Sequence, residues 1–346
     1  MEFSLSDERR MLQDSLRGTL ERHADSPDLW PALAGLGAGA ALLPEEAGGF
    51  GGTGTDIALV AGEVGRAGAV VPLIDSLILG AAVLAAVDGA DTAAVTALVE
   101  GTATAALADL EPGARYDGTL ATTARPRPDI RLDGRKTLVV GGDSADWFMV
   151  TALDSDDARG LYLVAADAPG LTRRSYDLMD GGRGADLEFV ATPARHLGTD
   201  ALLDRPVAAA TLAICADAVG VMDRVLEMTA DYLRTRKQFG QPIGRFQVLG
   251  HRMADLWIEV EQARSAVMNL ATRLDDPARD LHLSAAKVTV GEAAQLVAEE
   301  AIQMHGGIGL TQDYGLGVLV RRLIAADARF GDRDYHLERF AALRRG

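Results

Sequence analysis

The side chains in this 346-residue sequence that could do chemistry are few and scattered. Six histidines, His23, His196, His251, His282, His305 and His336, show no metal-ligand spacing, and the one cysteine, Cys215, adds no thiolate cluster, so no metal is expected. Cys215 lies in the apolar run Leu212-Ala-Ile-Cys, where a thiol behaves as a small buried hydrophobe. No phosphate loop of the Walker type is present, and no Ser-His-Asp arrangement can be read. Two segments stand out. Arg234 to Gln247 mixes Arg236 and Lys237 with Phe239 and amide side chains, and Gln303 to Gly309 carries the pair Gly306-Gly307 at the end of a helical pattern. Taken singly, an Arg-Lys pair is solvated surface and a Gly-Gly pair is a helix C-cap.

The elements that must position these residues change character twice along the chain. Residues 1–105 read as helices, with Ser6 and Asp7 ahead of a charged amphipathic run, Ala-rich segments from Asp56 to Val87, and the Gly-rich string Glu46 to Gly52 as a loop. Residues 106–204 carry short apolar runs at Leu138-Val139-Val140, Trp147 to Val150 and Leu161 to Val164, with Asp133-Gly134 as a hairpin signal. From residue 205 to 346 the helical period returns. Val221, Met222, Val225, Leu226, Thr229, Tyr232 and Leu233 form one apolar face, and Leu249, Met253, Leu256, Trp257, Val260 and Val267 a second, which stops before Pro277. A third helix spans about Leu281 to Met304 and a fourth about Gly315 to Phe330. The fold class is therefore α+β: an N-terminal α-helical domain, a middle β-domain and a C-terminal antiparallel four-helix bundle.

Composition limits the partners. Thirty-four basic against fifty acidic residues leave a formal charge of -16, which repels phosphate backbones and anionic membrane surfaces, so no nucleic acid and no membrane are expected. The longest apolar stretches, such as Leu77 to Val87, fall short of the ~20 residues a bilayer requires. The N-terminus has no cationic lead and no apolar core, which with a lone cysteine fits a cytoplasmic protein.

Arg234-Thr-Arg-Lys-Gln-Phe-Gly-Gln-Pro-Ile-Gly-Arg-Phe-Gln247 resembles the Arg-Lys-x-Phe-Gly segment of acyl-CoA dehydrogenases, which is followed by a Gln. Gln303-Met-His-Gly-Gly-Ile-Gly309 is similar to their Gln-x-x-Gly-Gly-x-Gly, and Leu43-Pro-Glu-Glu-Ala-Gly-Gly49 to their Pro-Glu-Glu-x-Gly-Gly. The three matches occur in the family's order, cover nearly the whole chain, and agree with the order of modules. The resemblance implies FAD as cofactor and a reaction in which a base takes the α-proton of an acyl thioester while a hydride leaves the β-carbon for flavin, as in fatty-acid or steroid side-chain β-oxidation. It implies a small barrel for the β-domain, and an arm that one subunit extends to its neighbour's FAD. On that arm Arg236 would meet a pyrophosphate oxygen, Phe239 and Gln247 would hold the nucleotide, and the backbone from Gln303 through Gly306 and Gly307 would approach closely.

Against that pattern, several expected groups are missing. Where the family carries Thr-Glu-Pro-Gly-Ala-Gly-Ser and Trp-Ile-Thr, this chain has Leu110-Glu111-Pro112-Gly113-Ala114-Arg115-Tyr116 and Leu138-Val139-Val140, without the hydroxyls that face flavin. The two positions of the family's catalytic Glu fall on Phe330 and Ala210, the latter followed by Thr211. Asp217, Asp332 and Asp334 lie nearby, but their ordinary readings as helix and loop carboxylates leave the catalytic residue unassigned. The chain therefore looks like the shorter subunit of a heteromeric bacterial acyl-CoA dehydrogenase, a heterotetramer whose longer partner carries the Glu. The alternatives are a self-sufficient homo-oligomer with a displaced Asp base, or a flavin oxidase or monooxygenase on the same fold. Acyl-CoA or an acyl-carrier thioester and an electron-transfer flavoprotein are the partners the resemblance implies.

Overall fold

A computed structural model describes the chain apart from residues 1–4, 25, 44–48, 50, 88, 90, 117, 128, 312–313 and 346. Pro44 to Gly48 of the Pro-Glu-Glu-x-Gly-Gly segment thus lie outside the described residues. Helix α1 (Asp7–Arg22) starts where Ser6 accepts the Arg9 amide at 3.3 Å, and α2 (Leu29–Gly35) follows. Thr53 and Asp56 form a reciprocal capping box at the start of α3 (Gly54–Ala67). Leu73–Ala81 is then wound as a π-helix, a form concentrated at functional sites, and runs into α4 (Ala82–Ala86); α5 (Thr92–Val99) ends the region.

Eight strands follow: β1 (Ala105–Ala108), β2 (Thr123–Arg127), β3 (Asp129–Val140), β4 (Trp147–Leu153), β5 (Arg159–Ala165), β6 (Leu171–Asp177), β7 (Arg183–Pro193) and β8 (Arg195–Thr199). They form one sheet in the order β6-β7-β3-β2-β4-β5-β8, with β1 parallel to β4. No described pairing joins β6 to β8, and Arg174 and Asp177 on β6 are exposed. The expected hairpin at Asp133-Gly134 is corrected, because β3 runs straight through it. The register slips between Leu132 and Gly134, Asp133 accepts the Ala191 amide at 2.8 Å, and a Cβ on Gly134 would sit 2.5 Å from the Thr122 hydroxyl. The dipeptide marks a bulge, not a turn.

The bundle consists of α6 (Asp204–Thr235), α7 (Gln247–Ala271), α8 (Arg279–His305) and α9 (Leu316–Ala328), followed by a short α10 (Arg333–Leu343). No apolar stripe marks α10, since His336 is its one buried residue. Asp200–Thr235 is long and apolar enough to cross a bilayer, which corrects the expectation drawn from shorter runs. Its apolar stretch is mostly buried inside the protein, because α6 is the central helix of the bundle.

Helices α3 and α6 cross backbone to backbone. A Cβ on Gly220 would lie 2.0 Å from the Gly62 carbonyl oxygen, and one on Gly65 2.1 Å from that of Asp217. The N-terminal helices and the bundle consequently share a single apolar core, while the sheet keeps a separate one built around Leu132, Phe148, Val150, Leu187 and Phe189.

Candidate functional site

Where the π-helix, the sheet and α6 and α9 meet, two adjoining cavities of about 370 and 380 Å3 form one cleft, with Asp75, Val140, Asp180 and Arg329 on the wall they share. The first reaches Ile214, Asp217 and Arg322; the second is mostly apolar, walled by Leu107, Leu110, Leu138, Val140 and Phe330. Asp75 is placed by the π-helix, which Ser76 pins to β1 through its hydrogen bonds to the Ala105 amide (3.0 Å) and carbonyl (3.2 Å). Its carboxylate takes an N–H from Arg329 at 2.9 Å. Burial pushes the Asp75 carboxyl above the usual carboxylate range, and the Arg329 charge offsets that in part. Deeper in, Arg322 donates to Asp217 at 2.9 Å and to the Ala69 carbonyl at 2.7 Å.

The second cavity is bridged at its mouth. Arg115 pairs with Asp332, and the Tyr116 hydroxyl donates to the Ala328 carbonyl at 2.9 Å with its ring 5.2 Å from that of Tyr335. Below it, Glu111 is taken up by Lys136 (2.8 Å) and the Ala121 and Thr122 amides, and the Leu138 amide donates to Tyr176 at 3.0 Å. The polar groups of this wall therefore satisfy one another.

The turn after α9 is held from inside. The buried Lys287 ammonium donates to the carbonyls of Ala326, Asp327 and Arg329 at 3.1, 2.9 and 2.9 Å, and the neutral His336 ring lies 2.9 Å from the Phe330 carbonyl. These contacts fix Phe330 and Gly331 in left-handed conformations, with φ of 57° and 103°.

A second candidate surface lies at the far end of α6. Arg236 leads into a two-stranded ribbon, β9 (Lys237–Gln238) and β10 (Gln241–Pro242), whose turn residues Phe239 and Gly240 both have positive φ, 52° and 78°. Phe239 is 87% exposed, 6.0 Å from the Phe246 ring, and Arg236 makes no side-chain hydrogen bond or ion pair among the described residues. Gln247 opens α7, with its amide 3.3 Å from His251. The Tyr232 ring stacks 4.6 Å from His305, which brings the end of α8 beside this ribbon and places Gln303, Gly306 and Gly307 on the same exposed end of the bundle. A Cβ on Gly307 would meet nothing within 4 Å, so no contact inside the chain requires glycine there.

Residues 198–342 match the acyl-CoA dehydrogenase C-terminal domain and residues 6–88 the acyl-CoA dehydrogenase N-terminal domain. Acyl-CoA dehydrogenase IpdE2 of Mycolicibacterium smegmatis is 30% identical over 98% of this chain and 99% of its own length. The chain belongs to the acyl-CoA dehydrogenase family. Among solved acyl-CoA dehydrogenase structures, a Tcur3481–Tcur3483 steroid ACAD G363A variant is 31% identical with a TM-score of 0.89, each chain covered to 99%. The ChsE4–ChsE5 complex from Mycobacterium tuberculosis is 26% identical with a TM-score of 0.91, covering 99% of this chain and 98% of the other. Butyryl-CoA dehydrogenase from Megasphaera elsdenii, at 22% identity and a TM-score of 0.92 over the full length of both chains, shares the fold.

Acyl-CoA dehydrogenases are FAD-dependent oxidoreductases, and the two surfaces differ in how they fit that cofactor. The bundle end fits: a guanidinium without an internal partner, an exposed aromatic ring and glycines facing open space suit a diphosphate and a nucleotide. The cleft wall does not, since Leu110, Leu138 and Val140 offer no side-chain donor and Tyr116 spans the opening. Neither position of the acyl-CoA dehydrogenase Glu is replaced by a free carboxylate. Ala210 is buried within α6, Thr211 donates to the Val207 carbonyl at 2.7 Å, and Phe330 lies under the Arg329 guanidinium at 4.9 Å. Asp217 is spent on Arg322, Asp332 caps α10 through the Tyr335 amide (2.9 Å) and pairs with Arg115, and Asp334 is exposed on the first turn of α10.

Sequence reasoning missed Asp75, the Arg322 and Arg329 pairs and Lys287. One signal for Asp75 was available: a lone acid inside the run Leu73-Ile-Asp-Ser-Leu-Ile-Leu has no solvated face to occupy on a buried helix.

Proposed function

We propose that this chain is the half-site subunit of a heteromeric acyl-CoA dehydrogenase, completing the FAD site of a longer partner that carries the catalytic Glu. One observation carries the reading: the bundle end that bears Arg236, Phe239, Gly306 and Gly307 is exposed, while the chain's own cleft is crossed by the Tyr116 hydrogen bond, offers no side-chain donor at Leu110, Leu138 and Val140, and the chain has Ala210 and Phe330 at the two positions of the acyl-CoA dehydrogenase Glu. Bound FAD would supply hydride acceptance. The chain's own part is to bind and orient: Arg236 offers its fork to a phosphate oxygen, Phe239 its ring, and Gly306 and Gly307 their bare backbone. Two solved relatives whose names pair two components, Tcur3481–Tcur3483 and ChsE4–ChsE5, support a heteromeric assembly, and the first of these names supports a steroid-type acyl thioester as substrate.

The protein purified alone should be colourless, and co-expression with a longer acyl-CoA dehydrogenase subunit should yield a yellow, active complex. Arg236→Ala should weaken FAD retention in that complex about tenfold, the worth of one charge-assisted hydrogen bond. Stoichiometric flavin absorbance in the lone protein would overturn the proposal.

The position of Asp75 favours a second reading, a self-sufficient homo-oligomer with a displaced base. Its carboxyl is buried at the junction of the two cavities, and burial raises its proton affinity above that of an ordinary carboxylate. This reading requires turnover by the lone protein and a loss of at least about a hundredfold on Asp75→Asn. A lone protein that turns over equally well with that substitution would remove it.

A further inference from the structure

A third cavity, of about 350 Å3, lies on the opposite flank of α6 from the cleft, enclosed by α1, α3, α6 and α7. The cleft meets α6 at Ile214 and Asp217; this cavity meets it at Ala216, Val219, Gly220 and Asp223. The cavity opens to solvent between part-exposed arginines, beside a helix crossing tight enough to exclude a methyl group. Its size falls in the range of small-molecule sites.

The lining is amphipathic. Its floor is formed by Ala58, Leu59, Val219, Val267 and Met268, and its rim by Arg9, Arg17, Arg66 and Arg264. Four guanidinium groups converge here on a chain whose formal charge is -16. Each is held by a carboxylate: Arg9 by Asp56 and Arg17 by the buried Glu63, both at 2.7 Å, Arg66 by Glu227 at 2.7 Å, and Arg264 by Asp223 at 2.6 Å. Those contacts engage Nε and Nη2. The Nη1 groups of all four make no hydrogen bond among the described residues, so each fork is fixed in direction and keeps one edge for a ligand.

We propose that this cavity binds a small amphipathic carboxylate, with its headgroup on Arg17, Arg66 and Arg264 and its tail on Leu59, Val219, Val267 and Met268. The planar fork matches a carboxylate, and the apolar floor gives a short alkyl or aryl tail a place that water fills poorly. Pairing each guanidinium with its own acid leaves the site nearly neutral when empty and lets it accept one negative charge without an uncompensated cluster of like charges.

Octanoate, octanol and acetate titrated into the full-length protein by calorimetry test this. Octanoate should bind at one equivalent, and octanol and acetate at least about tenfold more weakly, because one lacks the charge and the other the tail. Arg66→Gln removes a half-exposed guanidinium, and Met268→Trp fills the floor without touching the cleft on the far side of α6; each should weaken octanoate about tenfold or more. Thr272→Trp fills the same cavity from its exposed rim if Met268→Trp does not fold. No octanoate binding, or octanol binding as tightly, overturns the proposal. So does octanoate binding that survives the tryptophan substitution, which places the ligand elsewhere, or that survives Arg66→Gln, which removes the role of the charge. None of these outcomes depends on flavin or turnover, so the half-site reading stands or falls separately.

Discussion

Single side chains in this molecule are placed by burial as much as by partner. His336 is 1% exposed, wedged between the Ser284 hydroxyl and the Phe330 carbonyl, and burial pulls its ring from 6.5 down to about 4. The folded state therefore binds fewer protons than the unfolded state between these two values. Stability should be complete above about pH 6.5 and fall by about 3 kcal/mol as the pH drops towards 4. Urea melts across this window should show a shallower pH slope for His336→Gln than for the natural protein; equal slopes would contradict the assignment. Cys215 follows the same logic, its thiol pushed up to about 11 by burial, as its apolar sequence neighbours suggested. Asp75 was not legible in that way. A carboxylate in an apolar run has to find a cation, and its partner Arg329 lies at the other end of the sequence, beyond the reach of any local pattern.

Among the elements, legibility followed periodicity. Helices α6 and α7 announced themselves through apolar residues three and four apart, and α8 and α9 through their extent between glycines, whereas α10 did not, because its single buried ring leaves no stripe to see. The Asp133-Gly134 pair carried true information about backbone freedom and misled only about its use, since a bulge and a hairpin ask for the same residue types. The crossing of α3 and α6 was invisible in the sequence, where Gly62, Gly65 and Gly220 look like weak points in helices. In the fold they are points of contact. Gly220→Ala should cost about 3 kcal/mol or more, since its methyl would lie against the Gly62 carbonyl with backbone on both sides. Gly250→Ala, on α7 with open space around it, should be neutral or slightly stabilising. Thermal melting of the two variants measures the contrast, and similar midpoints would refute it.

At the scale of the whole molecule, the order of modules and three short motifs were enough to give the fold and the family, and the residues of two of those motifs lie together at one end of the bundle. The cleft was harder, because its character comes from pairings between distant segments, Arg115 with Asp332 and Tyr116 with Ala328, which sequence spacing does not encode. The two apolar cores lead to a prediction about opening. Hydrogen exchange under mild denaturant should release α1, α3, α6 and α8 together and strands β3, β4 and β7 in a separate step. Independent release of α1 and α3 ahead of α6 would show that the shared core does not act as one unit.

That shared core also sets a timetable for synthesis. The first helices leave the ribosome without the surface they are built to cover, because α6 is made more than a hundred residues after α3. The strands in between carry their own interior and can settle as soon as they emerge. For the interval between, an apolar N-terminal segment waits in the open, and the stretch of translation that makes residues 68–220 is when this protein most needs a chaperone.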